Sequence, residues 1–461
     1  MSELLDRSRV IYESLPITDL KAAGIWPAPD YELIFNYPPY QTLEPIGRRD
    51  IFKTGPFEAR EVAVYVHIPF CQSTCAYCHY ARRPRSSYLE TKRYLACLER
   101  ESSLLTTFSH IDLLRIGSFQ SLHVGGGTPS CLYPPQLEEL MIFPHLWNPD
   151  RIIEKTIEVN PASLTQDWLE TARSLRFNRL NIGVQSFEDQ LLKVCHRPHN
   201  RQQAIDAIKM ARAAGFENIN IDLIFGLPGQ SFEDWQRTLE IAIELNLASI
   251  TCYKLRRKKA TPFGRLPDSA FPSPEDQLLM HIMAIESLTD AGYIPWHFET
   301  LFVRDPKYSH QHQAYKWRGL GELLGLGVSA YSYINDCVYH NTSSLEEYYE
   351  AIRHEQLPIK VGQRLDVTEL KHRWMVLGLL TLRVEQEPFR ERFGISPVET
   401  FASQLEPLVK LGLVEITEEE VQITKYPGLL FVMEVLTRFY SQRVTEILVS
   451  KNMHYGSFPA R

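Results

Sequence analysis

The stretch Tyr65-Val66-His67-Ile68-Pro69-Phe70-Cys71-Gln72-Ser73-Thr74-Cys75-Ala76-Tyr77-Cys78 constrains this chain more than any other. Its cysteines are spaced Cys-x3-Cys-x2-Cys, directly after an apolar run, Val62 to Phe70, that reads as a buried strand. A loop leaving such a strand can curl three thiolates round one inorganic centre. Thiolates hold iron–sulfur clusters, and a cubane with four irons and three protein ligands leaves one iron open to bind something else. A zinc knuckle would need His67 or His79 as fourth ligand and has no second Cys-x2-Cys pair. A disulfide framework fits no better, because three cysteines cannot pair evenly and no secretory peptide opens the chain.

The rest of the 461 residues sets bounds on what surrounds this motif. The length suits two or three domains with a sizeable core. A net charge of −7 argues against nucleic acid or an anionic membrane as the main partner, and no apolar run reaches transmembrane length. Eight cysteines without a leader point to a reducing cytoplasm.

From Val62 onward, strands alternate with amphipathic helices. Strand cores are expected near Val62–His67, Leu122–Gly125, Thr156–Val159, Leu180–Gln185, Ile219–Ile224 and Ile250–Tyr253. Helices are expected at Tyr88–Leu105, Gln136–Ile142, Thr165–Leu175, Arg201–Ala214, Phe232–Leu245 and Glu275–Ala291. The alternation predicts an α/β fold, a partial (β/α)6 TIM-like barrel with reactive groups at C-terminal strand ends. Domains are expected at 1–59 (an aromatic, Pro-punctuated arm docked on the barrel), 60–292 (barrel), 293–362 (a barrel-closing sheet extension) and 363–461 (helices with a small β wing). In the last, helices are read at Thr368–Leu382, Phe389–Phe393, Ser403–Leu411 and, finally, Leu429–Tyr440, with a strand pair at Val414–Ile416 and Val421–Ile423.

The string Tyr-x-His-Ile-Pro-Phe-Cys-x3-Cys-x-Tyr-Cys resembles the radical S-adenosylmethionine (SAM) superfamily, in the branch of the oxygen-independent coproporphyrinogen III oxidases, the heme chaperones and related methyltransferases and cyclopropane-forming enzymes. The resemblance runs from about Val62 to near the C-terminus, whose tail resembles the branch's winged-helix-like domain. It implies a [4Fe–4S] cluster on Cys71, Cys75 and Cys78, and two SAM molecules. Tyr65, Gly126 and Glu158 would serve the cluster-bound SAM, with Tyr77 a further cofactor contact. Gly127, Thr128, Gln185, Arg197 and Asp222 would serve the second. Taken singly, Glu158, Gln185, Arg197 and Asp222 read as capping, surface or ion-paired residues; their shared place at strand ends, in the family's order, reverses that.

Four departures and open points stand beside it. Tyr80 occupies the place of the oxidase's fourth cysteine. The chaperones' His-Asn-x-x-Tyr-Trp motif is met here by His312 and Trp317, but Gln313 and Lys316 replace Asn and Tyr. His312 and Tyr331 are acid/base candidates or, equally, packing residues. The basic run Lys254 to Lys259 suits an acidic substrate if it faces the barrel mouth, and a solvated loop if it does not. The resemblance further implies a small-molecule substrate, an electron donor such as flavodoxin or ferredoxin, and a monomer. Because the second-SAM residues are kept and Tyr80 is not cysteine, methyl(ene) transfer or cyclopropanation on a specialised metabolite is expected first. Tetrapyrrole oxidation comes second and heme carriage third.

Overall fold

The structure, a computed structural model, describes residues 3–27, 34–47, 51, 61–108, 118–141, 152–297, 301–451 and 453. The core of the fold is a row of parallel strands: β1 (Glu61–Ile68), β2 (Ser118–Gly126), β3 (Glu154–Val159), β4 (Arg179–Gln185), β5 (Asn218–Phe225) and β6 (Ser249–Lys254), each hydrogen-bonded to the next in chain order. β1 shows why such strands read as apolar runs: Val62, Ala63, Val64, Val66 and Ile68 are all buried, because helices cover one face and the barrel interior the other. Helix starts follow capping chemistry. The side chains of Thr165, Asn200, Ser231 and Ser273 accept from the backbone N–H of Trp168, Gln203, Asp234 and Asp276, opening four of the expected helices.

The strands after 293 extend this same sheet at both edges. The hairpin β7 (Ile294–His297) and β8 (Leu301–Val303) joins antiparallel to β6. At the other edge β9 (Glu322–Leu326) runs parallel to β1, so seven parallel strands stand in a row. The antiparallel β10 (Tyr331–Ile334), β11 (Cys337–Asn341) and β12 (Ile359–Arg364) continue outward. Sequence periodicity did not place β9 in the parallel set, because its partner β1 lies some 260 residues earlier.

Between the two edges runs a short helix, α1 (Gln311–Trp317), packed on β1, β2 and β9. Glu154, 4% exposed, fixes its start: Oε2 accepts from the Gln311 N–H at 3.0 Å and Oε1 from that of His312 at 3.2 Å.

The described arm is docked. Glu3–Ser14 is helical and packs on Pro274–Asp290, where Arg7 reaches Asp290 at 2.6 Å. Ile34 and Tyr37 are buried, and Tyr37 donates to Glu369 at 2.7 Å. Tyr31, Glu32 and Leu33 of the expected arm lie outside the described residues. In the C-terminal part, the strand pair gains a third member, Arg383–Glu385, giving a three-stranded wing. The expected closing helix Leu429–Tyr440 is a correction. A 3-10 turn (Gly428–Phe431) leads into a helix of only Val432–Thr437, and another, Gln442–Ser450, follows. Ser441 is the cause: its hydroxyl caps the Val444 N–H and donates to Glu369, so the chain restarts there. Among the described residues no helix is long and apolar enough to cross a membrane.

Candidate functional site

The cysteine loop is stapled on every side. After β1, Phe70–Cys71 pairs with Arg83–Pro84, and the Arg85 N–H donates to the Cys71 carbonyl at 2.9 Å. The Ala76 N–H donates to the Cys195 carbonyl, and the Phe263 N–H to that of Ala76, both at 3.1 Å. The glycine-rich turn ending β2 is bonded directly to the loop: Gly127 N–H to Ile68 C=O at 2.8 Å, and Thr128 N–H to Phe70 C=O at 2.7 Å. The Thr128 hydroxyl lies 3.6 Å from Cys71 Sγ. A Cβ on Gly127 would stand 2.7 Å from the Phe70 carbonyl oxygen and 3.0 Å from Cys71 Sγ, so only glycine permits this approach.

This loop fits an iron–sulfur cluster. Burial pushes the Cys71 thiol up to about 11, partly offset by the Thr128 hydrogen bond, so a thiolate there needs nearby positive charge. The protein supplies some: the Arg197 guanidinium is 3.3 Å from Cys75 Sγ, and Arg82 acts on both Cys71 and Cys78. The zinc alternative loses its fourth ligand. His67 is occupied at both nitrogens, Nδ1 by the Tyr65 hydroxyl at 3.0 Å and Nε2 by the Ala81 carbonyl at 3.2 Å. His79 Nε2 is met by Arg256 at 3.1 Å. Among the described residues no three His, Cys, Asp or Glu side chains are placed to hold one metal ion. A cubane takes one thiolate at each of separate irons and does not require such convergence.

Glu158 lies on the barrel side of the glycine turn. Its Oε1 accepts from His123 Nε2 at 2.9 Å and its Oε2 from the Gly126 N–H at 3.2 Å. Tyr65 stacks on His123, ring centroids 5.8 Å apart. Gln185, Arg197 and Asp222 gather round Gly183. A Cβ there would be 2.8 Å from Gln185 Nε2 and 3.4 Å from Arg197 Nη2, and Gly183 is the register partner of Asp222. Gln185 has φ +74°, a left-handed conformation that an L-residue holds only under constraint. Arg197 also reaches the Tyr77 hydroxyl at 3.5 Å and the Gly183 carbonyl; its Nε has no hydrogen-bond partner among the described residues. Asp222, which as a buried carboxylate demanded partners, finds two amides: Asn220 on Oδ1 and Asn181 on Oδ2, both at 3.0 Å. Burial nonetheless pushes its pKa up to about 7.

Tyr65, Asp222, Tyr253, Lys316 and Tyr331 are packed among many neighbours yet keep accessible surface, so they border an accessible cavity. Of the acid/base candidates, His312 is buried with Nδ1 3.1 Å from the Ser121 hydroxyl, and burial holds its pKa far down, so it is neutral. Tyr331 donates to the Phe35 carbonyl at 3.1 Å, and burial raises its pKa. Two groups escaped the sequence reading. His123 orients Glu158 and packs against His310 and His312 at 5.4 and 5.2 Å. Lys316, noticed only as a departure from a motif, carries a charge into the cavity. Of the basic run, Arg256 packs on the cysteine loop through His79 and Tyr80, and Arg257 pairs with Asp268 at 2.7 Å.

A parallel barrel whose first strand delivers three thiols against a glycine-rich turn is that of a radical SAM enzyme, and residues 65–242 match the radical SAM superfamily. The chain is 31% identical to the oxygen-independent coproporphyrinogen III oxidase of Escherichia coli K12, over 80% of this chain and 83% of that one. To the heme chaperone HemW of Bacillus subtilis it is 29% identical, over 82% and 99%. The solved E. coli coproporphyrinogen III oxidase (HemN), a radical SAM enzyme, superposes with a TM-score of 0.76 at 28% identity, covering 88% of this chain and 96% of that one. The chain therefore belongs to the radical SAM superfamily, in the coproporphyrinogen-oxidase-like branch, and its cofactors are a [4Fe–4S] cluster and SAM.

Proposed function

We propose that this enzyme oxidises a propionate-bearing tetrapyrrole, as a coproporphyrinogen III oxidase does. The observation that carries the reading is the extent of the likeness. It runs well past the 65–242 core to cover 80% of the chain. Methyl(ene) transfer, the first expectation from sequence, draws no support from the coproporphyrinogen oxidases and the chaperone, and the tetrapyrrole reading takes its place.

In this reading Cys71, Cys75 and Cys78 hold the cluster, and Glu158 with the Gly126 turn receives the SAM bound to it. Bound together, cluster and SAM would supply radical abstraction of hydrogen from an unactivated carbon. Arg197 offsets thiolate charge at Cys75. His123, itself packed among His310 and His312, fixes the Glu158 carboxylate so that it is set before SAM arrives. Gln185, Arg197 and Asp222 round Gly183, with Gly127 and Thr128, would hold a second SAM. The electron would come from a small donor such as flavodoxin or ferredoxin, and the enzyme would act as a monomer. Tyr80 leaves the three-cysteine set untouched.

The test is anaerobic turnover with SAM, a reductant and coproporphyrinogen III. Decarboxylated porphyrinogen together with 5′-deoxyadenosine supports the reading, and the Cys71→Ala, Cys75→Ala, Cys78→Ala triple variant should make neither. S-adenosylhomocysteine in place of decarboxylation would return the assignment to methyl transfer. Tight heme binding without turnover would move it to the chaperones.

A further inference from the structure

Among the described residues, Lys316 is a cavity-lining group whose charge meets no ion pair. It sits near the end of α1, its ammonium 4.6 Å from the centroid of the Trp317 ring and 6.0 Å from that of Tyr331. These faces attract a cation but accept no ordinary hydrogen bond. Among the described residues Lys316 forms no ion pair and donates no hydrogen bond, so its three N–H donors are unspent. Among the described residues the titratable groups that face it are Glu158, His297, His312 and Tyr331. Glu158 is its carboxylate neighbour, but lies beyond ion-pair distance and is engaged by His123 and Gly126. Both histidines are held neutral by burial. Arg373, 3.9 Å over the Tyr333 ring and acting on Tyr331, adds positive charge on the same side. Burial pulls the lysine down to about 7, the mark of an ammonium lacking an anion.

Enclosed ammonium groups are costly unless paired. A cavity that keeps one, walled by flat rings, suits a ligand that is planar and brings its own carboxylate. We propose that Lys316 is a substrate-binding residue whose ammonium receives a propionate carboxylate of the tetrapyrrole inside the barrel. The assignment rests on the tetrapyrrole reading above and adds the group that selects an acidic side chain.

The test uses the anaerobically reconstituted holoenzyme with SAM, titrated with coproporphyrin III and separately with its tetramethyl ester, and read by absorbance and fluorescence. A hydrogen bond to a charged group is worth about tenfold or more in affinity, so Lys316→Met should weaken coproporphyrin by at least that factor. The ester, with no carboxylate to lose, should bind the variant and the wild type alike, within about twofold, and Lys316→Arg should restore most of the acid's affinity. Without porphyrin, Lys316→Met should melt no lower than wild type, because a thioether replaces an unpaired charge. Equal affinity of Lys316→Met and wild type for coproporphyrin, or equal losses for acid and ester, would overturn the assignment while leaving the tetrapyrrole reading intact. A lower melting temperature would reveal a protein partner for the lysine and overturn it too. A wild-type enzyme that binds neither porphyrin overturns the tetrapyrrole reading, and this assignment with it.

Discussion

Gly126→Ala is the sharpest test of how the glycine turn and the cysteine loop depend on one another. Gly126 closes β2 at φ +112°, a region L-residues avoid. A Cβ there would stand 2.6 Å from His67 Cε1 and 2.7 Å from His67 Nδ1. The imidazole cannot easily give way, since Tyr65 and Ala81 hold its two nitrogens and the His67 carbonyl accepts from Tyr94 at 2.8 Å. Backbone strain of about 1–3 kcal/mol adds to about 1–3 kcal/mol of overpacking. Relief comes either by moving the turn, which pulls the Gly126 N–H off Glu158, or by swinging His67, which frees Ala81 beside the cysteine loop. Two controls separate the terms. Gly394→Ala, at φ +72° with nothing within 4 Å of its Cβ, carries strain alone. Gly125→Ala, whose Cβ would meet Glu158 Oε1 at 2.6 Å, displaces the carboxylate without a positive φ. A chain this long loses about 1 °C of Tm per kcal/mol if it melts as one unit. Gly126→Ala should therefore melt about 2–6 °C below wild type and Gly394→Ala about 1–3 °C below. The first should also lose reconstituted iron and SAM affinity by about tenfold or more, and the second neither. Gly125→Ala should lose SAM affinity but keep its iron. Melting curves, iron and sulfide content and SAM titration decide it. A Gly126→Ala protein with full cluster, full SAM affinity and the Tm of Gly394→Ala would refute the coupling.

Three further outcomes follow from the same geometry. Arg197→Met removes the guanidinium beside Cys75 and makes an added electron less welcome; the cluster potential should fall by roughly 60 mV or more in an EPR-monitored titration, with Arg197→Lys between, and an unchanged potential would remove Arg197 from the cluster's surroundings. Asp222 has a folded pKa of about 7, above its unfolded value, so its contribution is present below about pH 4 and is lost as pH rises through 7. Asp222→Asn should thus gain about 2–3 kcal/mol on wild type between pH 5 and pH 8 in paired urea titrations, and a difference that does not change with pH would show the carboxyl to be ionised throughout. Lys316 gives the opposite slope. A base depressed to about 7 gains stability as pH rises above 7, so Lys316→Met should lose its advantage over wild type between pH 7 and pH 9, and an advantage constant over that range would mean the lysine titrates normally.

Which parts of this molecule can be read from the chain alone follows from how far apart the interacting residues are. β1 to β6 and the helices between them were legible because each is set by its own neighbours: buried Val and Ile runs, and caps such as Thr165 and Ser231. The cysteine spacing was legible for the same reason. β9 was not, because its strand character comes from pairing with Val62–Val66, far back in the sequence. The end of the Val432–Thr437 helix was hidden likewise, since the Ser441 cap is stabilised by Glu369, seventy-two residues away. His123 and Lys316 illustrate the limit for function. His123 is one of several polar residues in β2, and its meaning lies in Glu158 across the sheet. Lys316 means something only because α1 is fastened by Glu154 and its ammonium is carried into a cavity that offers it aromatic rings and, among the described residues, no ion-paired carboxylate. The cysteine side of the barrel is built from contacts between consecutive strands, β1 with β2 and β2 with β3, and is therefore written locally. The adjoining wall is assembled from α1, β9 and β10, brought back against β1 and β2 from some 250 residues later in the chain. Enzymes that share the first wall can thus take different substrates by changing the second, and Lys316 is where that difference would be felt.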